Sequence, residues 1–181
     1  MTTHIPMIDP ATASPAVRAA YDGEIATRGR ITNMKKTLLQ SLPVFHTYME
    51  FYTLYNKLIP VIGKRGVWLF CHAISSGNAC LICTTYFRRL LIDEGLRPET
   101  YAPTAEEQEL IDFGHQVSRA HGGAKPDPAL WTALKARYTN EQLVDIVGLG
   151  GQMVANNLFN DIVEVELDDQ LYDYRAAEPA K

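Results

Sequence analysis

The sequence lacks the features that mark several common protein classes. Only three of its 181 residues are cysteine, an odd number too small for a disulfide framework. No run of about 18 uninterrupted apolar residues occurs, so no transmembrane helix is predicted. Its 17 Lys and Arg residues are outnumbered by 21 Asp and Glu residues, for a net charge of -4. The chain therefore has no basic character for binding nucleic acid or an anionic membrane, and we expect neither as a partner.

The N-terminal segment has neither the basic start nor the apolar stretch of a signal peptide. We interpret residues 1–15, with Pro6 and Pro10, as an arm that precedes the first helix. Hydrophobic residues make up 46% of the chain and charged residues 21%, values typical of a globular domain. We therefore predict one domain over residues 1–181 and expect a cytoplasmic protein.

Apolar residues recur at intervals of three and four along almost the whole chain, which predicts an all-α fold, a compact multi-helix bundle without strands. Thr104 with Glu107 forms the pattern of a capping box, and Asn78 is a candidate N-cap for the helix that follows it. The exposed acidic side chains near the C-terminus favour a solvated tail over residues 168–181. The predicted helices span residues 16–27, 31–40, 43–60, 67–74, 79–94, 105–121, 128–138 and 141–165.

The chemically informative segment is a Cys-x-x-Cys pattern at the predicted start of a helix. Cys80 falls in the first turn and Cys83 one turn later, where unpaired backbone N–H groups and the helix dipole favour a thiolate. The two Cβ atoms of such a pair lie about 5 to 6 Å apart, whereas a disulfide needs about 3.8 Å, so a bridge here is strained and easily reduced. The pattern thus favours redox chemistry over a structural disulfide.

Two other interpretations of these sulfurs stay open. Free cysteines often pack as small buried hydrophobic residues without chemical function. Cys71, His72, Cys80 and Cys83 also supply four ligands that zinc accepts. Adjacent residues on a helix point about 100° apart, however, so Cys71 and His72 could join one tetrahedral site only if their helix were broken. We predict no metal site and no cofactor.

The Cys-x-x-Cys helix, together with Leu42-Pro43, the Thr104 capping box and Tyr138-Thr139-Asn140-Glu141-Gln142, resembles the alkylhydroperoxidase D-like or carboxymuconolactone decarboxylase family. The resemblance covers roughly residues 25–167. It implies an all-helical fold assembled as a trimer or hexamer. It also implies that Cys83 is the peroxidatic thiolate, that Cys80 is the resolving thiol, and that a thiol reductant restores the pair.

The sequence departs from the family's motif at both positions of the proton relay. The family has a glutamate twelve residues before the first cysteine and a histidine four residues after the second, where this chain has Trp68 and Phe87. His72, one turn after Trp68, is the candidate replacement for the relay. We predict a substrate pocket formed by Trp68, Tyr86 and Phe87 around the cysteines, with His46 as a further candidate.

Three functions follow from these residues. The first is a thiol-dependent peroxidase-like oxidoreductase that reduces an organic hydroperoxide, or another small apolar substrate, through Cys83 and Cys80. The second is a non-redox decarboxylase or isomerase on the same scaffold, with His72 or His46 as base. The third is a non-catalytic homo-oligomer that senses redox state or binds a ligand.

Overall fold

The computed structural model describes residues 3–120, 123 and 125–176. Within these ranges the chain forms eight α-helices, one short 3-10 helix and no strand, which confirms the predicted all-α class. Residue 121 and the last part of the predicted tail, residues 177–181, lie outside the described residues. The helices are α1 Pro15–Arg28, α2 Asn33–Leu38, α3 Leu42–Met49, α4 Phe51–Gly77, α5 Leu81–Asp93, α6 Ala105–Arg119, α7 Pro128–Arg137 and α8 Asn140–Val163, followed by the 3-10 helix Asp169–Tyr174.

The central element is α4, which packs against α5, α6 and α8. It bends near Gly63, whose φ of 73° and ψ of 154° lie outside the helical region, three residues after Pro60. A positive φ of this kind favours glycine, which has no Cβ to clash with the backbone. Beyond the bend, Phe70 and Ile74 are fully buried, and the Phe70 ring stacks on Phe113 of α6 with centroids 6.0 Å apart.

The predicted boundaries of two helices in this region are wrong. The expected helix over residues 43–60 divides at Glu50 into α3 and α4, and α4 then continues through the region expected to separate it from the next helix. Ser75, expected to stop the second helix, is buried inside α4, and its hydroxyl donates to the Cys71 carbonyl oxygen at 2.8 Å. A serine that bonds the preceding turn in this way does not terminate a helix.

Close packing of α4 and α6 depends on Gly114. A Cβ atom at this position would lie 2.8 Å from the Phe70 carbonyl oxygen and 2.9 Å from the Ala73 Cβ. These distances are shorter than any ordinary contact. The missing side chain therefore sets how near the two helices approach.

A tight turn between α4 and α5 places the cysteines. Asn78 ends α4 as its C-cap, and Ala79 adopts a left-handed backbone with a φ of 58°. The Cys80 amide donates to the Ser75 carbonyl oxygen at 3.1 Å, so α5 begins only at Leu81 with Cys80 as its N-cap. The prediction that Asn78 caps α5 is therefore wrong, because its own amide still donates to the Ile74 carbonyl oxygen in α4.

The described part of the expected solvated tail, residues 168–176, is largely exposed but is anchored to the helical body. Leu171 is buried, as are Val165 and Leu167 just before the tail, and the 3-10 helix packs against α5. Asp168 is also buried, with its carboxylate accepting a hydrogen bond of 2.8 Å from the Asn33 amide at the start of α2. Apolar residues between the acidic ones anchor this segment to the helical body.

Helices α1 to α8 include none that is both long enough and apolar enough to cross a membrane.

Candidate active site

Cys80 and Cys83 occupy the N-terminal turn of α5 as free thiols. Cys80 is fully buried, whereas 7% of Cys83 is exposed. Cys80 lies near enough to Cys83 to raise the pKa of the Cys83 thiol. Of the two sulfurs, the partly exposed Cys83 is the one that reaches the space outside the core.

Two consecutive residues of α8 contact the two sulfurs. The Asn160 amide nitrogen donates to the Cys83 Sγ at 3.2 Å, while its Oδ1 is buried without a hydrogen-bond partner among the described residues. Burial raises the pKa of the Asp161 carboxyl, and the neighbouring Cys80 thiol acts in the opposite direction. Asn160 thus orients the cavity-facing sulfur, and Asp161 is an exposed carboxylate near the inner one.

The pKa of Cys83 is raised well above its usual value, first by its hydrogen bond to Cys80 and then by burial. The bond from Asn160 acts in the opposite direction, because an N–H donor stabilises a thiolate. The expected lowering of the thiol pKa at the helix start is therefore wrong for Cys83. Its interaction with Cys80 and its burial together exceed the effect of the helix terminus, so this thiol is protonated at neutral pH.

Cys83 lies in the wall of a cavity of about 90 Å³ between α2, α3, α4, α5 and α8. The wall is mainly apolar and aromatic, with the polar exceptions Thr32, Lys35, Asn156, Asn160 and Asp168. Such a site suits a small apolar molecule oriented by a few polar groups. The apolar and aromatic lining residues are Met34, Tyr48, Met49, Phe51, Tyr52, Ile82, Tyr86, Phe87 and Met153.

The predicted pocket residues divide into two groups. Tyr86 and Phe87 line the cavity beside Cys83, as expected. Trp68 lies elsewhere: its indole N–H donates to the Tyr55 hydroxyl at 2.6 Å, and it lines a separate cavity with Lys64. His46 is exposed on α3 and also lies outside the Cys83 cavity, because the turn of α3 that carries it faces solvent. The expected placement of Trp68 and His46 is corrected accordingly.

His72 is not placed beside the reacting sulfur either. It lies in α4 near Arg88 and His115, and burial, with help from these two groups, lowers its pKa to about 4. A histidine with this pKa is neutral at pH 7 and a weak base. Cys71 is fully buried, and its pKa is raised because burial disfavours the thiolate.

Sequence reasoning missed three groups of the site. The sequence patterns did not identify Asn160, Asp161 or Lys35 as part of the site. The available signal was weak: Asn160 is a polar residue on an otherwise apolar helix, which indicates a buried hydrogen bond but not its partner.

Among the residues that the structure describes, no three His, Cys, Asp or Glu side chains are grouped so as to hold a metal ion.

The sequence matches no protein-family model and no curated protein. Solved structures do resemble it. The core of an uncharacterized peroxidase-related alkylhydroperoxidase AhpD protein from Ralstonia eutropha aligns with a TM-score of 0.71 over 94% of both chains. The chain has the alkylhydroperoxidase D fold.

Two further structures share this alkylhydroperoxidase D fold. A variant of the debrominase Bmp8 in complex with 2,3,4-tribromopyrrole aligns with a TM-score of 0.76 and 14% identity over 96% of both chains. An uncharacterized peroxidase-related protein from a Silicibacter species gives 0.68 and 16% identity, covering 97% of this chain and 99% of the other. The first structure is also 16% identical. Identities this low establish the fold and leave the chemistry to be argued from the site.

Proposed function

We propose that this protein is a thiol-dependent oxidoreductase that reduces a small apolar substrate, an organic hydroperoxide, with Cys83 and Cys80. The observation that carries the proposal is the position of Cys83: it lines an apolar cavity and has a second, fully buried thiol, Cys80, as its neighbour at the start of α5. Likeness to peroxidase-related proteins supports the same class of chemistry.

In the first step the Cys83 sulfur attacks the terminal oxygen of the hydroperoxide. An S–O bond forms, the O–O bond breaks, and the leaving alkoxide takes up a proton to give an alcohol and a Cys83 sulfenic acid. The Cys80 sulfur then attacks the Cys83 sulfur, so that an S–S bond forms and water leaves. A dithiol reductant returns two electrons and two protons to the pair.

Asp161 supplies the proton acceptor that Trp68 and Phe87 cannot provide. In this proposal the proton of Cys83 passes to the neighbouring Cys80 and that of Cys80 to the Asp161 carboxylate, which is exposed to solvent. Because its pKa is raised, this carboxylate is a better base than an ordinary aspartate. Asn160 holds the Cys83 thiolate through its amide N–H.

Titration of the reduced protein with cumene hydroperoxide tests this function. We expect two of the three free thiols to be lost and peptide mapping to identify them as Cys80 and Cys83. Cys83→Ser should abolish the loss, whereas Cys71→Ser, which alters a buried thiol outside the cavity, should react like the wild type. Retention of all three thiols in the wild type would disprove the proposal.

A second candidate substrate class is supported by the likeness to a debrominase that binds a brominated pyrrole. The aromatic wall formed by Tyr52, Tyr86 and Phe87 suits a planar halogenated ring. Reductive debromination would replace a carbon–bromine bond with a carbon–hydrogen bond, oxidise Cys83 and Cys80 to a disulfide and release hydrogen bromide. Bromide release from a brominated pyrrole, with loss of the same two thiols, would assign this activity.

The non-redox alternative has less support from the geometry. It needs His72 or His46 as base, and neither side chain lines the cavity that contains Cys83. The redox-sensor hypothesis shares the disulfide with our proposal and differs only in lacking turnover. Steady-state consumption of hydroperoxide with excess dithiothreitol separates these two cases.

We also propose that the protein is a homo-oligomer that associates through α8. An apolar stripe runs along this helix, with Val144 and Ile162 each 70% exposed, Leu158 61% and Val147 45%. Surface helices of monomers seldom leave so continuous an apolar face in water. Light scattering on Leu158→Glu, compared with the wild type, tests the association, because a charge in the stripe should reduce the measured mass to that of a monomer.

A further inference from the structure

A buried cation lies in the wall of the same cavity as Cys83. Lys35, at the start of the chain's second helix, is only 7% exposed, yet it lines the cavity. Its Nζ lies 4.6 Å from the centre of the Tyr52 ring, which lines the same space. A lysine this deeply buried is costly unless its charge is compensated.

The compensation available to Lys35 is incomplete. Its ammonium group pairs with the Glu24 carboxylate, but the same Glu24 oxygen also forms an ion pair with the Arg28 Nε at 2.8 Å. Arg28 in turn lies over the Tyr52 ring with its Cζ 3.3 Å from the ring centre. One carboxylate therefore faces two cations, which leaves one positive charge in excess.

The other carboxylate in the cavity wall does not balance this excess. Burial raises the pKa of Asp168, while the hydrogen bond from the Asn33 amide and the charges of Lys36 and Arg30 act against this shift. The groups that stabilise its charge are thus Asn33, Lys36 and Arg30 rather than Lys35. The excess remains at Lys35.

Lys35 also has N–H groups without an acceptor among the described residues. An ammonium group has three N–H bonds, and only the one to Glu24 finds an acceptor among the described residues. The Tyr52 ring face attracts the charge but accepts no conventional hydrogen bond. A ligand oxygen in the cavity would accept a hydrogen bond from a Lys35 N–H group that has no acceptor among the described residues.

We propose that this cavity binds an apolar, ring-containing molecule that carries a single carboxylate or comparable anionic group, held by Lys35. Its apolar part then lies against Tyr86 and Phe87 beside Cys83. Lys35 is in this sense the specificity-determining residue of the site. The inference rests on the proposed function only in treating the bound molecule as the one that Cys83 reduces.

Benzoate and benzamide test the proposal, since they have nearly the same shape and only benzoate is charged. Binding to the reduced full-length protein is measured at pH 7 by titration calorimetry, and occupancy of the cavity by protection of Cys83 from iodoacetamide. A charge-assisted hydrogen bond predicts about 10- to 100-fold tighter binding of benzoate than of benzamide. Lys35→Met should remove this preference while leaving benzamide binding intact, and Lys35→Arg should retain it.

Lys64→Met is the matched control, because it removes an exposed lysine that lines a different cavity. It should bind both probes like the wild type. Equal affinity for the two probes in the wild type overturns the proposal whether or not Lys35→Met folds, and so does a preference that survives Lys35→Met. Neither probe contains a bond that thiols reduce, so a failure of hydroperoxide reduction with an intact benzoate preference refutes the proposed reaction alone.

Discussion

Replacement of Asn160 by leucine separates the reactivity of Cys83 from the stability of the fold. Asn160→Leu keeps the number and branching of the side-chain heavy atoms but removes the N–H donor that lies 3.2 Å from the Cys83 Sγ. A hydrogen bond to a charged group is worth about 1.5–3 kcal/mol, so the pKa of Cys83 should rise by about 1–2 units. A more basic thiolate is also a better nucleophile, with a Brønsted coefficient of about 0.4–0.5. Together these effects predict that, at pH values below its pKa, Cys83 of the variant is alkylated about 3- to 16-fold more slowly than Cys83 of the wild type.

The same substitution should not destabilise the protein. The Asn160 Oδ1 is buried without a partner among the described residues, which costs about 1–3 kcal/mol. Leucine removes this cost and gives up only one hydrogen bond, worth about 0.5–1.5 kcal/mol to the neutral protein. We therefore expect a free energy of unfolding that is unchanged or higher by up to about 2 kcal/mol.

The assay follows iodoacetamide alkylation of Cys83 by mass spectrometry as a function of pH, with urea unfolding in parallel. Asn157→Leu is the control on the same helix: Asn157 bonds Ser75 and Asn78 and does not contact Cys83. It should lose about 1–3 kcal/mol of stability and leave the alkylation profile unchanged. An Asn160→Leu protein with the wild-type pH profile, or with clearly lower stability, would refute this account of the site.

Three further predictions concern other groups. Asp161→Asn should slow closure of the Cys80–Cys83 disulfide about 100-fold or more in stopped-flow measurements, because the amide cannot accept the Cys80 proton; an unchanged rate would remove Asp161 from the mechanism. Burial lowers the pKa of His72 to about 4, below about 6.5 in the unfolded chain, so the unfolded state binds more protons between these values and stability is lost as pH falls from about 6.5 to 4. His72→Gln should abolish this contribution, up to about 3 kcal/mol in urea unfolding at pH 4 compared with pH 7, and an identical pH dependence in the two proteins would contradict it. Gly114→Ala should destabilise the protein by about 2 kcal/mol or more because its Cβ meets Phe70 and Ala73, whereas Gly151→Ala, whose Cβ has open space, should melt close to the wild-type temperature; equal effects would be inconsistent with the close approach of α4 and α6.

Local patterns predicted most of the helices correctly because helix boundaries depend on residues close in sequence. The Thr104 capping box forms as expected, a second one forms at Thr139, and Gly29 ends α1 with a φ of 74°. The predicted helix boundaries were wrong where one sequence pattern is compatible with two structures. Asn78 suits either a helix start or a helix end, and the hydrogen bonds of the α4–α5 turn decided for the end.

The candidate site was predictable only in part for a related reason. Cys80, Cys83, Tyr86 and Phe87 lie within two turns of one helix, so their proximity follows from their spacing. Asn160 and Asp161 are 77 or more residues away in sequence, and Lys35 is nearly 50 residues away on the other side. No local pattern states which residues of α2 and α8 meet the start of α5.

The amino-acid sequence by itself determined the helical class, most helix boundaries and the pair of sulfurs one turn apart, since each depends on periodicity and short-range hydrogen bonding. Only the tertiary structure decided the environment of those sulfurs. Packing of α5 against its neighbours buries the thiols and raises the pKa of Cys83, contrary to the expected effect of a helix start. It also brings Lys35, Asn160 and Asp161 to the cysteines, because desolvation and long-range contacts are properties of the folded chain.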